Sequence, residues 1–513
     1  MYCRMCGNQR GEEVNYCPNE GSMAIVATDS VILEQDNSKY CRGCGGENAQ
    51  QNLYCQKCGH SLFTVKKKEQ IVKLPSMEKG PKVELGLHKN GLRTGVIGGA
   101  IASVLMLLAG WIGSLVFAAI TEEFLHKFAR ELDMLSGFYN GATATLLNYH
   151  LLGVSAEDAD GMILSLYWHT PFLLLLLIPF IILGGTGIWI GKQRVANTIG
   201  EQVTMAATVG IIYGLFLFII SFIASKSISI PGMDAVTVLV GFSSFKGLVS
   251  GFICGTIFSL LGMIAHTSQN NMAEAFRELL PYGASLYYGA AAMVKGFLLT
   301  AVILCVTALF MKEDSVKPMK EFTSTTSQRI MLTLQVTPQV WNMAHLAPVE
   351  VKSPVFEKGF SGKGNKGKDN EMQFSFVSGM SFNGTGLKDL AIAEGAGPED
   401  LAEIEDVNST FHYGLLLLII PFFFMFRVGQ KLARIQTANI YVTLAVCSGA
   451  YTFMMLLVNI LSKFQIDISG TLTSMFGMSG TMLSMQGSWM YLILGSFILT
   501  YVAAFAGMKL ARK

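Results

Sequence analysis

Eight stretches of this chain are apolar over about 20 residues, the length an α-helix needs to cross the hydrocarbon of a bilayer. They lie at roughly 95–120, 168–190, 203–225, 239–266, 290–311, 412–428, 438–461 and 488–508. Backbone groups in hydrocarbon must be satisfied within the segment, so each run is expected to be a helix. Transmembrane strands would alternate, and these runs are continuously apolar. Composition agrees. Of the 513 residues 51% are hydrophobic and 14% charged, about half the usual charged share. Such a chain cannot cover a water-facing surface, which excludes an ordinary soluble enzyme. The net charge of +2 provides no basic field of the kind that draws nucleic acid, so that partner is not expected.

The charge that exists is concentrated. Residues 1–94 and 312–411 together hold 47 of the 74 charged residues. Two polar modules are therefore attached to an apolar body, whose surroundings are membrane lipids. Lys66, Lys67, Lys68, Lys73, Lys79, Lys82, Lys89 and Arg93 precede the first span. Lys192 and Arg194 follow the second, Arg427, Lys431 and Arg434 the sixth, and Lys509, Arg512 and Lys513 the last. Basic residues favour the cytoplasmic side. Both termini are therefore expected in the cytoplasm of a multi-pass cell-membrane protein, with 121–167 and 312–411 outside.

Seven of ten cysteines lie before residue 59. Cys41 and Cys44, then Cys55 and Cys58, form two CxxC pairs. Each pair makes a tight knuckle, and two knuckles complete a tetrahedral thiolate site that suits Zn2+. All four ligands come from protein, so the metal would be structural. Upstream, Cys3, Cys6 and Cys17 share the spacing, but Glu20 occupies the fourth position. That set is either a weaker zinc site with a carboxylate ligand or a ribbon held by packing.

The segments 40–48 and 54–62 resemble the small zinc ribbons at the amino terminus of bacterial zinc-ribbon-containing multipass membrane proteins. The resemblance covers about 60 residues and is weaker in the first copy, which departs at Glu20. It implies a β fold, a zinc ion and a role in binding a protein partner. The expected organisation is a degenerate ribbon at 1–26, a ribbon at 38–63 and a basic linker at 64–92. A first membrane unit follows at 93–266, a cytoplasmic linker at 267–289 and a second unit at 290–513.

The two units read as copies. Residues 136–181 align without a gap on 378–423, with Ser136 on Ser378, Thr143 on Thr385, Gly153 on Gly395 and Pro179 on Pro421. Glu157 and Asp158 fall on Glu399 and Asp400, and farther on Tyr213 falls on Tyr451. The expected fold is thus an all-α membrane protein of two parallel four-helix repeats. The ribbons precede it, and 312–411 adds a small outer α/β domain with strands near 329–336 and 371–376.

Gly247, Gly251 and Gly255 recur at four-residue spacing and mark a close helix contact. Lys246, Lys295, His169 and His266 sit near expected span ends, where long side chains reach water. Thioethers spaced like Met475, Met478, Met482 and Met485 could bind Cu(I), but the favoured reading is the apolar face of an interfacial or re-entrant helix. His345, His412, Glu399 and Asp400 show no catalytic spacing. No enzyme activity is expected. The reading is a sensing, adaptor or assembly protein with an extracytoplasmic ligand; the alternative is a transporter subunit built on the duplicated unit.

Overall fold

The computed structural model describes residues 34–35, 63–64, 89–128, 141–158, 165–169, 171–193, 198–230, 233–268, 271–310, 325–353, 371–393, 395, 397–434, 439–471 and 480–512. The chain divides into an amino-terminal unit, Met1–Lys79, and a body, Gly80–Lys513. In the first unit, β1 (Glu34–Gln35) pairs antiparallel with β2 (Phe63–Thr64). Cys3, Cys6, Cys17, Glu20, Cys41, Cys44, Cys55 and Cys58 lie outside the described residues.

The body opens with α1 (Lys89–Phe128), α2 (Ala142–Asn148), β3 (Val154–Asp158) and β4 (Ser165–His169). A 3-10 turn, Leu173–Leu176, runs into α3 (Leu177–Lys192), and α4 (Ile199–Ala224) returns. The hairpin β5 (Lys226–Ile230) and β6 (Met233–Phe242) leads into α5 (Ser244–Thr267). After a short helix, α6 (Met272–Leu279), the same order begins again. It runs through α7 (Gly283–Phe310), α8 (Thr326–Met343), β7 (Val349–Lys352) and β8 (Glu371–Ser375). Here β9 (Gly379–Phe382), β10 (Thr385–Gly386), α9 (Leu387–Ala393) and α10 (Pro398–Tyr413) intervene. The 3-10 turn Gly414–Leu418 then enters α11 (Ile419–Leu432). The chain closes with α12 (Ile440–Leu461), β11 (Phe464–Ser469), β12 (Gly480–Gly487) and α13 (Trp489–Ala511).

Eight helical segments among the described residues are long and apolar enough to cross a membrane. They are Asn90–Val116, Leu173–Lys192, Ile199–Ala224, Ser244–Thr267, Gly283–Phe310, Pro398–Leu432, Ile440–Leu461 and Trp489–Ala511. Large apolar side chains on them, Phe222 and Phe310 among them, stay exposed, as a hydrocarbon environment requires. Helix starts are set locally. The Thr198 hydroxyl accepts from the Glu201 backbone N–H, and the Glu201 carboxylate accepts from the Thr198 N–H, a reciprocal cap that satisfies two orphan donors.

Among the described residues, the strands of the body join one ten-stranded sheet in the order β10-β9-β8-β7-β12-β11-β4-β3-β6-β5. It is antiparallel throughout. The sheet lies where α4 and α12 end and where α5 and α13 begin, so it covers one end of the helices. Its two faces differ. Val154, Ala156, Leu166, Trp168, Val238, Val240 and Phe242 pack into one core with α1, α3 and α4. Val349, Val351, Phe374 and Met485 pack into a second core with α7, α11 and α12. Glu350, Lys352, Glu371, Gln373, Gln465 and Ser484 occupy the alternate, opposite face, where Lys352 and Glu371 lie 3.8 Å apart. Period-two alternation thus seats the sheet on the helices by its apolar side.

Four expectations are corrected. The sheet runs across both halves, so 312–411 is no separate outer domain: β7 and β8 pair onward to β12. Residues 329–336 form helix within α8, not a strand. Met482 and Met485 lie on β12, not on a helix; Met475 and Met478 lie outside the described residues. The strand expected at 371–376 is β8. The gapless alignment of 136–181 on 378–423 fails in its first part. Thr143 is helical and Thr385 is in a strand, while Glu157 and Asp158 lie in β3 and Glu399 and Asp400 open α10. From the two 3-10 turns onward, Pro179 and Pro421 do hold corresponding places near the starts of α3 and α11.

Candidate functional site

Beneath the sheet the chain buries two imidazoles in the same way. The short α2 rests on α1. Its C-cap residue Tyr149 points its hydroxyl to the Ala109 carbonyl, 3.2 Å away. Gly113 makes room, since a Cβ there would collide with that hydroxyl. The next residue, His150, is fully enclosed. Its Nδ1 lies 3.0 Å from the Leu146 carbonyl and its Nε2 2.8 Å from the Tyr213 hydroxyl on α4. Leu151 then takes a positive φ of 55° and turns the chain toward β3. Backbone of that kind costs a leucine about 1–2 kcal/mol, so the surrounding packing must hold it there.

The second half repeats the construction. His345 follows α8, with Nδ1 2.8 Å from the Trp341 carbonyl and Nε2 2.9 Å from the Tyr451 hydroxyl on α12. Leu346 has a φ of 62° and leads into β7. On the far side, Ser250 of α5 donates to the His150 carbonyl at 3.4 Å. In the second half Gly495 of α13 takes that place, where an added Cβ would lie 2.3 Å from the His345 carbonyl.

The partners fix the chemistry. Each Nδ1 faces a carbonyl and must donate, which leaves the Nε2 lone pair to accept from the tyrosine hydroxyl. Burial pushes the pKa of both His150 and His345 down to about 4, because desolvation penalises the charged ring. Both rings are therefore neutral at physiological pH and have both nitrogens occupied. No lone pair is left to activate a nucleophile or bind a metal. The arrangement can pin the strand-bearing segment to a membrane helix.

An amide cluster adds a second tie in the later half. Asn342 Nδ2 donates to Asn459 Oδ1 at 2.9 Å. Asn459 exchanges two hydrogen bonds with the Gly487 backbone, at 2.9 and 3.0 Å. Gln339 Nε2 donates to the Ser462 carbonyl at 3.1 Å. At the junction of the halves, His169 on β4 places Nδ1 2.8 Å from the Lys463 carbonyl and Nε2 2.9 Å from the Leu151 carbonyl. Leu151, Leu173 and Leu174 from the first half reach into the second core.

The other expected residues are dispersed. Gly251 and Gly255 meet α4 backbone: an added Cβ would lie 2.8 Å from Gly214 Cα and 2.7 Å from Gly210 Cα. At Gly247 it would lie 2.6 Å from Ser221 Oγ. Lys246 sits over the Tyr167 ring, 4.7 Å from its centroid. Lys295 is exposed on α7, and the His266 ring abuts Gly191. His412 bonds its own helix at the Asn408 carbonyl. Among the described residues, no group of three or more His, Cys, Asp or Glu could hold a metal ion. Sequence reading singled out Tyr213 and Tyr451 as counterparts but missed His150. A readable signal was there: His150-Leu151 and His345-Leu346 each stand four residues before a valine that opens a strand. No protein-family model, curated protein or solved structure matches the chain.

Proposed function

We propose that this is a multi-pass membrane protein of adaptor or assembly type. It would bind a protein partner through cytoplasmic zinc ribbons and present its sheet outside the cell membrane. One observation carries this reading. Beneath the sheet each of the two buried imidazoles closes on a tyrosine hydroxyl, and Asn342 closes on Asn459, so these polar groups are tied to one another. Such networks rigidify a fold; a translocation route would hold polar groups available to a solute. The basic residues at the helix ends opposite the sheet, Lys192, Lys431, Arg434 and Lys509, support a cytoplasmic location for that side. Zinc would be held by Cys41, Cys44, Cys55 and Cys58, with Cys3, Cys6, Cys17 and Glu20 as a second, weaker set.

Affinity purification of the wild type against a Cys41→Ser/Cys44→Ser variant tests the reading. Loss of a specific co-purifying protein in the variant supports it. The same partners recovered with both chains would remove its mechanism. A second reading, a permease subunit, draws on the order of helices and hairpins that occurs twice, as in parallel-repeat carriers. It requires a separate energising subunit, which the same purification would recover with both chains.

A further inference from the structure

We infer that the free edge of β5 is the interface through which two copies of this chain pair, strand against strand, across a two-fold axis along the membrane normal. The inference stands on the sheet alone and does not rest on the adaptor reading.

The two ends of the sheet are built differently. At one end the last strand, β10, has two residues and passes directly into α9. Very short edge strands and covering helices are how proteins blunt an edge against pairing. At the other end β5 is five residues long and ends the order, with one side unpaired among the described residues. An open strand edge presents unmet N–H and C=O groups that template another strand.

The chain itself shows what this kind of edge accepts. β11 stands in the second half where β5 stands in the first: each follows a long membrane helix and pairs with the strand that leads into the next helix. β11 uses its other side to receive β4, antiparallel, over Gln465–Ser469. A register shift in β11, between Ile466 and Asp467, does not prevent this. β5 also carries a shift, between Ser229 and Ile230, where its pairing passes from Thr237 to Met233; it falls at the hairpin end and leaves Lys226–Ser229 in continuous register with Val240–Thr237.

Symmetry selects the occupant. Two copies in one bilayer with the same orientation can be related only by an axis along the membrane normal. Adjacent antiparallel strands are related by a two-fold axis perpendicular to their sheet. This sheet lies across the helix ends with its apolar face on them, so its perpendicular runs with the helices. One operation therefore satisfies both membrane and strand geometry, and it keeps both apolar faces on the membrane side. A pairing centred on Ile228 sets Ser227 opposite Ser229 and Lys226 opposite Ile230. No like charges then face each other, a juxtaposition that would oppose pairing.

Disulfide trapping in native membranes tests this. Full-length chains carrying Ser227→Cys, Ser229→Cys or both are oxidised with copper phenanthroline, beside the wild type as control for the native cysteines. The register predicts a shift from monomer to dimer on a non-reducing gel for the double variant and no such shift beyond the control for either single variant. Mass measurement of the wild type in lipid nanodiscs is the second arm and should read a dimer. A monomeric mass, no dimer band in the double variant, or a band joining the chain to a different protein would each overturn the inference.

Discussion

The Nε2 of His345 accepts a hydrogen bond from the Tyr451 hydroxyl at 2.9 Å, at the point where the segment leading into β7 meets α12. Removing the hydroxyl leaves a buried acceptor with no partner. Tyr451→Phe is expected to cost about 1–3 kcal/mol, read as a lower unfolding temperature in detergent. Tyr213→Phe is expected to act alike through His150.

The same imidazoles give stability a pH dependence. Burial holds both at about 4, below the 6.5 of a free histidine. The unfolded chain then binds more protons between those values, so stability is complete above about 6.5 and falls as pH drops toward 4. Thermal unfolding followed between pH 7 and pH 4.5 should show this decline. It should be shallower in a His150→Gln/His345→Gln double variant.

Asn459 carries three hydrogen bonds, one from Asn342 and two with Gly487. Asn459→Ala leaves the Gly487 N–H and carbonyl without these partners in a buried site. The expected loss exceeds that of a single neutral hydrogen bond, about 1 kcal/mol. Asn459→Asp is the informative comparison, because it retains the acceptor while losing the donor to the Gly487 carbonyl.

Gly251 and Gly255 let α5 and α4 approach to backbone contact. Gly251→Val or Gly255→Leu is expected to force the helices apart at a cost of about 1–3 kcal/mol. Limited proteolysis of the purified protein should then cut between them, which it should not do in the wild type. Gly185, with nothing within 4 Å of an added Cβ, is the control: Gly185→Ala should be tolerated.

Zinc content and sidedness follow from the proposed arrangement. Cys41→Ser should lower the zinc measured in purified protein by atomic emission. If Glu20→Ala lowers it as well, the first ribbon also holds metal. Maleimide labelling of intact cells should reach Ser378→Cys and not Lys192→Cys, both of which are exposed positions.

The membrane helices were legible because about 20 continuous apolar residues leave few alternatives. The sheet was not, because its strands abut those helices. Val238–Phe242 of β6 runs straight into α5, and its alternation disappears into an apolar run. The stretch Leu332-Thr333-Leu334-Gln335-Val336 alternates like a strand yet lies in α8. There, a reciprocal cap between Thr325 and Gln328 starts the helix, and burial of Trp341 fixes its far end. The His–Tyr pairs were hidden because each joins segments far apart in sequence, 63 residues in one case and 106 in the other. The gapless alignment of 136–181 on 378–423 set the insertion β9–α10 against α2–β4 and so displaced His345 from its counterpart.

The central seam of the sheet has a consequence for how the protein is made. β4 pairs with β11, and His169 reaches a carbonyl 294 residues later in the chain. Synthesis proceeds from the amino terminus. The first four helices can therefore insert and pack while β4 still waits for its neighbour. Until the last hairpin emerges, the nascent chain carries an open strand edge at β4. That interval, not the finished molecule, is when it is most exposed to mispairing, and a strand-holding chaperone would matter most then.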